Sequence, residues 1–149
     1  MAIFGNGADV MSNDPVLFVD DDLISHLLNC AVLRESGFNV LEARSYAEAC
    51  AEIERRPRLA ALVTDIELGV GPDGFEIARR ARLANPEVAV VYMSGTELRR
   101  YASEGVNNSR FIPKPFGPDQ LVRALEDAAP LGAGLGLDLP GATGVPKLK

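Results

Sequence analysis

Hydrophobic and polar positions follow two periods along this chain. Val16–Val19, Leu59–Val63 and Val88–Met93 are short runs without a polar member. A strand covered on both faces has no position that tolerates a polar side chain, so such runs predict buried parallel strands. Phe38–Ala43 alternates as a strand does, and Arg110-Phe111-Ile112 is a short strand ending at Pro113. Pro113 has no amide proton to give to a ladder, which predicts that this last strand lies at a sheet edge.

Between these runs the spacing turns helical. In Leu23–Glu35 the apolar residues Ile24, Leu27, Leu28, Ala31 and Val32 recur at helical intervals, and Gly37 supplies the stop. Ser45-Tyr46-Ala47-Glu48 has the spacing of a capping box and opens a helix running to about Arg55, which Pro57 ends. Phe75–Ala84 repeats the pattern through Ile77, Ala78, Ala81 and Ala84, with Arg79, Arg80 and Arg82 as a solvated face. Glu97–Ser103 is a shorter, more polar helix. Gly117-Pro118 opens the last one, whose buried face is Leu121, Val122, Leu125 and Ala128. Strand and helix alternate five times, which predicts a doubly wound α/β fold with a parallel sheet and right-handed crossovers.

Composition narrows the class. With 149 residues and 47% hydrophobic content, one domain with a real core is expected. A net charge of −6 argues against a nucleic-acid surface. Cys30 and Cys50 lie in helical stretches and read as reduced, buried thiols. There is neither a secretory signal nor an apolar run long enough to span a membrane, so a cytoplasmic protein without membrane contact is expected. Residues 1–14 read as a flexible arm and residues 15–129 as the domain. Residues 130–149, rich in Gly and Pro, read as a disordered tail dispensable for stability.

The chemistry collects at strand ends. Val16–Val19 runs into Asp20, Asp21 and Asp22, and Leu62-Val63-Thr64 runs into Asp65. In an open α/β sheet the carboxyl edge near the switch point of strand order is where ligands bind. Asp20, Asp21 and Asp65 brought together would repel one another unless a cation neutralised them, and hard oxygen donors suit Mg²⁺. One carboxylate can then serve as a nucleophile toward phosphorus, with Ser94 as a hydroxyl donor and Lys114 as a point charge for phosphoryl oxygens. Asp22 and Asp73 read instead as helix caps, His26 as a surface or boundary residue, Tyr92 and Tyr101 as packing groups, and Arg99 and Arg100 as a solvated helix face.

Val-Asp-Asp-Asp at 19–22, Leu-Val-Thr-Asp at 62–65, Met-Ser-Gly at 93–95 and Pro-Lys-Pro-Phe at 113–116 resemble, in this order and spacing, the motifs of response-regulator receiver domains over residues 15–128. The resemblance implies a flavodoxin-like, five-stranded parallel sheet of order 2-1-3-4-5. It implies Asp65 as phosphoacceptor, Asp20 and Asp21 as the acidic pair for Mg²⁺, and the Glu67 backbone carbonyl as a further metal ligand. Ser94 is then the hydroxyl that follows the phosphoryl group, Lys114 the cation, and Phe111 the switch aromatic. In the resting protein Ser94 is expected away from Asp65 and Phe111 turned inward, giving a leaky switch. A cis Lys114–Pro115 bond is expected to aim the lysine, and Gly95 to leave room for the donor. The implied partners are a sensor histidine kinase or histidine phosphotransfer protein upstream and a protein target downstream, with no output domain following.

Two departures stand out. Gly69 takes a position where the family has proline, and Asp73-Gly74 comes one residue late. The Glu67 side chain places a second acid beside the acceptor. Two other readings are a haloacid-dehalogenase-like phosphotransferase, disfavoured because position 67 is Glu and the acidic pair comes first, and an unphosphorylated pseudo-receiver, disfavoured by the intact acids and lysine.

Overall fold

The computed structural model describes residues 14–56, 58–129 and 145–146. Ten elements alternate through the domain: β1 (Val16–Val19), α1 (Leu23–Glu35), β2 (Val40–Ala43), α2 (Tyr46–Arg55), β3 (Ala61–Asp65), α3 (Gly74–Ala84), β4 (Ala89–Ser94), α4 (Leu98–Glu104), β5 (Ser109–Pro113) and α5 (Pro118–Ala128). The five strands are parallel in the order β2-β1-β3-β4-β5. Strand order reverses beside β1, so the ends of β1 and β3 flank the switch point.

Alternation within the strands sorts the core into two layers. Leu17, Val19, Leu62, Val90 and Tyr92 pack with Ile53 of α2 and with Phe75 and Ile77 of α3. Val16, Phe18, Val63, Val91 and Met93 face the other way, onto Leu33 of α1 and Leu121 and Leu125 of α5. Both faces are covered, which is why these strands carry no polar alternation.

The caps follow their side-chain chemistry. Asp22 accepts from the Ser25 amide, Ser45 from the Glu48 amide, and Asp73 from the amides of Phe75 and Glu76. The Glu48 carboxylate reaches back one residue further than the capping-box spacing implies, to the Arg44 amide at 2.8 Å. Gly69 and Gly71 adopt φ of +80° and +100°. Proline, fixed near −65°, cannot take the conformation of Gly69, so this loop requires glycine at the position where the resemblance implied proline.

Several sequence expectations are corrected, among them a buried Cys50, which is only half-buried. The apolar stripe of α1 does not face the core: Ile24 and Leu28 are 68% and 62% exposed, Leu23 and Leu27 are also exposed, and His26, Cys30 and Leu33 are buried instead. His26 is therefore no surface or boundary residue. β5 is not a free edge, because a sixth strand, β6 (Val145–Pro146), pairs antiparallel with it at Arg110 and Phe111. Pro113 lies beyond that pairing, so its missing amide costs no ladder bond. The arm, apart from Asp14, and the tail, apart from Val145–Pro146, fall outside the described residues.

Candidate functional site

The site grows from the register of β1 and β3. Val19 pairs with Thr64, so the residues that follow, Asp20 and Asp65, emerge at neighbouring positions on one edge. The ligand oxygens of Asp20, Asp21 and Asp65 all lie within 4.8 Å of one another. Asp20 is buried and fixed, accepting from the Asp22 amide at 3.0 Å and the Ser25 hydroxyl at 2.7 Å. Asp21 is exposed at the mouth.

Lys114 arrives from the other side. Its backbone amide donates to the Ser94 carbonyl, continuing the β4–β5 ladder past Pro113. The Lys114–Pro115 bond is cis. The ammonium Nζ sits 3.1 Å from Asp65 Oδ2. Asp65 Oδ1 is buried with no hydrogen-bond partner. Burial pushes the Asp65 carboxyl up to about 7, against the pull of Lys114 and with the help of Asp20 and Glu67. Burial also opposes the charge on Lys114, but the carboxylates of Asp65, Asp20 and Glu67 outweigh it and hold the ammonium above its ordinary value. Three carboxylates crowded at one edge are a set of donors that fits a hard divalent cation.

Ser94 is buried at the end of β4, and its proton points to Glu67, 3.0 and 3.2 Å from the two carboxylate oxygens. The Thr96 hydroxyl donates to the same carboxylate at 3.2 Å. Ser94 Oγ in turn accepts from the amides of Thr96 and Glu97. Ser94 therefore lies bonded to Glu67 and not to Asp65. Gly95 opens onto free space.

Phe111 is turned inward and only 2% exposed. It closes an aromatic row in which Phe75, Tyr92, Tyr101 and Phe111 stand with successive ring centroids 5.1, 5.6 and 5.3 Å apart. Tyr101 and Tyr92 are packing groups whose hydroxyls still bond, Tyr101 donating to the Ser109 carbonyl and Tyr92 accepting from the Val106 amide.

The sequence places Arg100 on a solvated helix face. It instead donates to Asp73 at 2.8 Å and Glu104 at 2.9 Å, and lies over the Phe75 ring at 5.0 Å. It thereby ties α4 to the loop that follows Asp65. The (i, i+4) spacing of Arg100 and Glu104 was legible, but the contact with Asp73 spans 27 positions and has no local signal.

Comparison with known proteins agrees with this geometry. Residues 16–126 match the response regulator receiver domain family. An NtrX-like response regulator of Rickettsia bellii is 31% identical over 121 residues, which cover 79% of this chain and 25% of that protein. The chain thus spans about a quarter of the length of the curated relatives it matches. A response regulator receiver protein of Sinorhizobium medicae superposes with a TM-score of 0.74 at 34% identity, covering 77% of this chain and 93% of that one. The receiver domain of a Pseudomonas aeruginosa sensor histidine kinase, at 24% identity and a TM-score of 0.66 over 76% of this chain and 95% of that one, holds a magnesium ion in its active-site cleft. With the sheet order, the acidic edge and the matched span agreeing, this chain belongs to the response regulator receiver domain family.

Proposed function

We propose that Asp65 receives a phosphoryl group from a phosphohistidine on a sensor kinase or phosphotransfer protein. The observation that carries this is the split environment of its carboxylate: Oδ2 is held by Lys114, while Oδ1 is buried without a partner. A bare oxygen fixed in direction is a nucleophile whose entropy of orientation is already spent. Its lone pair forms the new O–P bond as the P–N bond of the donor breaks, and the departing imidazole nitrogen keeps that electron pair and takes a proton. Lys114 is within reach of the phosphoryl oxygens added there and meets them as a point charge. Asp20, Asp21, Asp65 and the Glu67 backbone carbonyl would hold Mg²⁺, which when bound supplies positive charge against the acids and the phosphoryl oxygens. Incubation with a small acyl phosphate and Mg²⁺ should add one phosphoryl group by intact mass. An unchanged mass would refute the reading.

The exposed stripe of α1 bears on the donor. Ile24 and Leu28 line an open groove of about 380 Å³ together with Asn29, Lys114, Pro115 and Phe116. Lys114 belongs to both the groove and the acidic pocket, so a protein that brings a phosphohistidine to Asp65 must cover this rim. An apolar donor helix seated there would bury the stripe. Leu28→Asp is expected to slow transfer from a phosphohistidine protein about tenfold or more, since one buried Leu contributes about 1.5–3 kcal/mol. Labelling by acyl phosphate should not change. Equal loss with both donors would place the effect in the fold and not in docking.

A further inference from the structure

Beneath α1, away from the oxygen-rich pocket, three donors of softer chemistry converge. His26 and Cys30 are one helical turn apart, so they leave α1 on the same side, and β2 sets Glu42 opposite them. An imidazole nitrogen, the thiol and a carboxylate oxygen of these residues all lie within 4.8 Å of one another. His26 and Cys30 are buried, while the Glu42 side chain is 40% exposed and opens the cluster to solvent.

The histidine is oriented as a ligand. Its Nδ1 lies 3.2 Å from the Asp20 carbonyl oxygen, a contact that fixes the direction of the ring. Its Nε2 lies 2.9 Å from Glu42 Oε1. Both ring nitrogens therefore face acceptors, and either a proton or a metal ion fits between Nε2 and the carboxylate. Metal-binding histidines are held in the same manner, with one ring N–H on a carbonyl and the other nitrogen on the metal. Arg34 fixes the carboxylate from behind, donating to Glu42 Oε2 at 2.7 Å. Burial and the charge of Glu42 push the Cys30 thiol up to about 11, so it rests protonated and loses its proton only to a metal ion that takes its place.

We infer that His26, Cys30 and Glu42 form a second cation site, which takes a borderline or soft divalent metal of the Zn²⁺ type with water as the fourth ligand. Imidazole, thiolate and carboxylate are all zinc donors, and three protein ligands plus water complete a tetrahedron. One thiolate and one carboxylate neutralise a divalent charge, the thiol proton passing to solvent as the metal–sulfur bond forms. Ligand softness separates this site from the all-oxygen cluster of Asp20, Asp21 and Asp65. Asp20 links the two, its carboxylate facing Asp65 and its carbonyl orienting His26.

The test is a Co²⁺ titration of the full chain with Mg²⁺ in excess to occupy the oxygen site. One equivalent should produce the near-ultraviolet charge-transfer band of thiolate-bound cobalt, and Zn²⁺ should displace it. The band should vanish in Cys30→Ser and persist in Cys50→Ser. Zn²⁺ affinity should fall at least tenfold, about 1.4 kcal/mol, in both Cys30→Ser and Glu42→Gln. Zn²⁺ should also raise the melting temperature of the unaltered chain but not of Cys30→Ser. Cys30→Ser is nearly isosteric, so the test does not depend on His26 variants that fail to fold. No band, or a band that survives Cys30→Ser, overturns the proposal and leaves a simple His26–Glu42 ion pair.

Discussion

Asp65→Asn should abolish phosphoryl labelling and at the same time make the metal-free protein more stable above pH 7. The two effects have one cause. Asp65 is buried beside Asp20 and Glu67, its Oδ1 lacks a partner, and Lys114 compensates only in part. The carboxyl is raised from an ordinary 3.8 to about 7, so the folded state keeps a proton that the unfolded chain releases. Between those values the folded protein binds more protons than the unfolded one, and stability falls as pH rises through the window. Above about 7 the full penalty is in place. Asparagine removes the charge at nearly constant shape, and the gain should be about 1–3 kcal/mol, the usual cost of an unsatisfied buried polar group, which is several degrees in melting temperature. Thermal scans from pH 4 to pH 8 in chelator, together with intact mass after acyl phosphate and Mg²⁺, check both halves. Labelling that persists in the variant removes Asp65 as acceptor. A variant no more stable than its parent at pH 8 shows that the crowded acids are already relieved.

Glu67→Ala should speed labelling and enlarge the switch. In the resting protein the Glu67 carboxylate takes the hydrogen bonds of Ser94 and Thr96, and Ser94 is the hydroxyl that, on the proposed reading, follows a phosphoryl group on Asp65. On that reading the carboxylate stands in for the phosphoryl group, and Phe111 is already inward. Partner affinity in the unaltered protein should therefore change less than tenfold on adding beryllofluoride. Removing the carboxylate frees Ser94 to respond to the phosphoryl group alone, so in Glu67→Ala that ratio should exceed tenfold. The same change removes a negative charge facing the incoming phosphoryl group, and labelling should accelerate about tenfold, about 1.4 kcal/mol. Glu67→Gln separates the two roles: it keeps an acceptor for Ser94 but not the charge, so it should match Glu67→Ala in labelling rate and the parent in switch ratio. Unchanged labelling in both variants would show that Glu67 does not oppose transfer.

How much was legible can be followed residue by residue. The ends of β1 and β3 were readable because a buried strand and the carboxylate after it are adjacent in sequence, and two such edges flank the switch point of a doubly wound sheet. The caps at Asp22, Ser45 and Asp73 were readable for the same reason, since a cap and the amide it serves lie two or three positions apart. Glu67 was visible as an acid beside the acceptor. Its grip on Ser94 was not, because that contact spans 27 positions and depends on how a longer loop, turned by Gly69 and Gly71 at positive φ, folds back.

The sequence by itself determined the periods: which segments are strands, which are helices, and which carboxylates stand at strand ends. Those are consequences of local geometry, in which side chains repeat every two residues along a strand and every 3.6 along a helix. Only the tertiary structure decided which face of α1 turns inward, that β5 carries β6, and that His26, Cys30 and Glu42 share one cluster. A helix with apolar residues on one side and His26, Cys30 and Leu33 on another offers two faces to the sheet. The choice between them is made by what Phe18 and Glu42 present on the strands beneath, a pairing energy between distant segments that no periodicity in one segment contains.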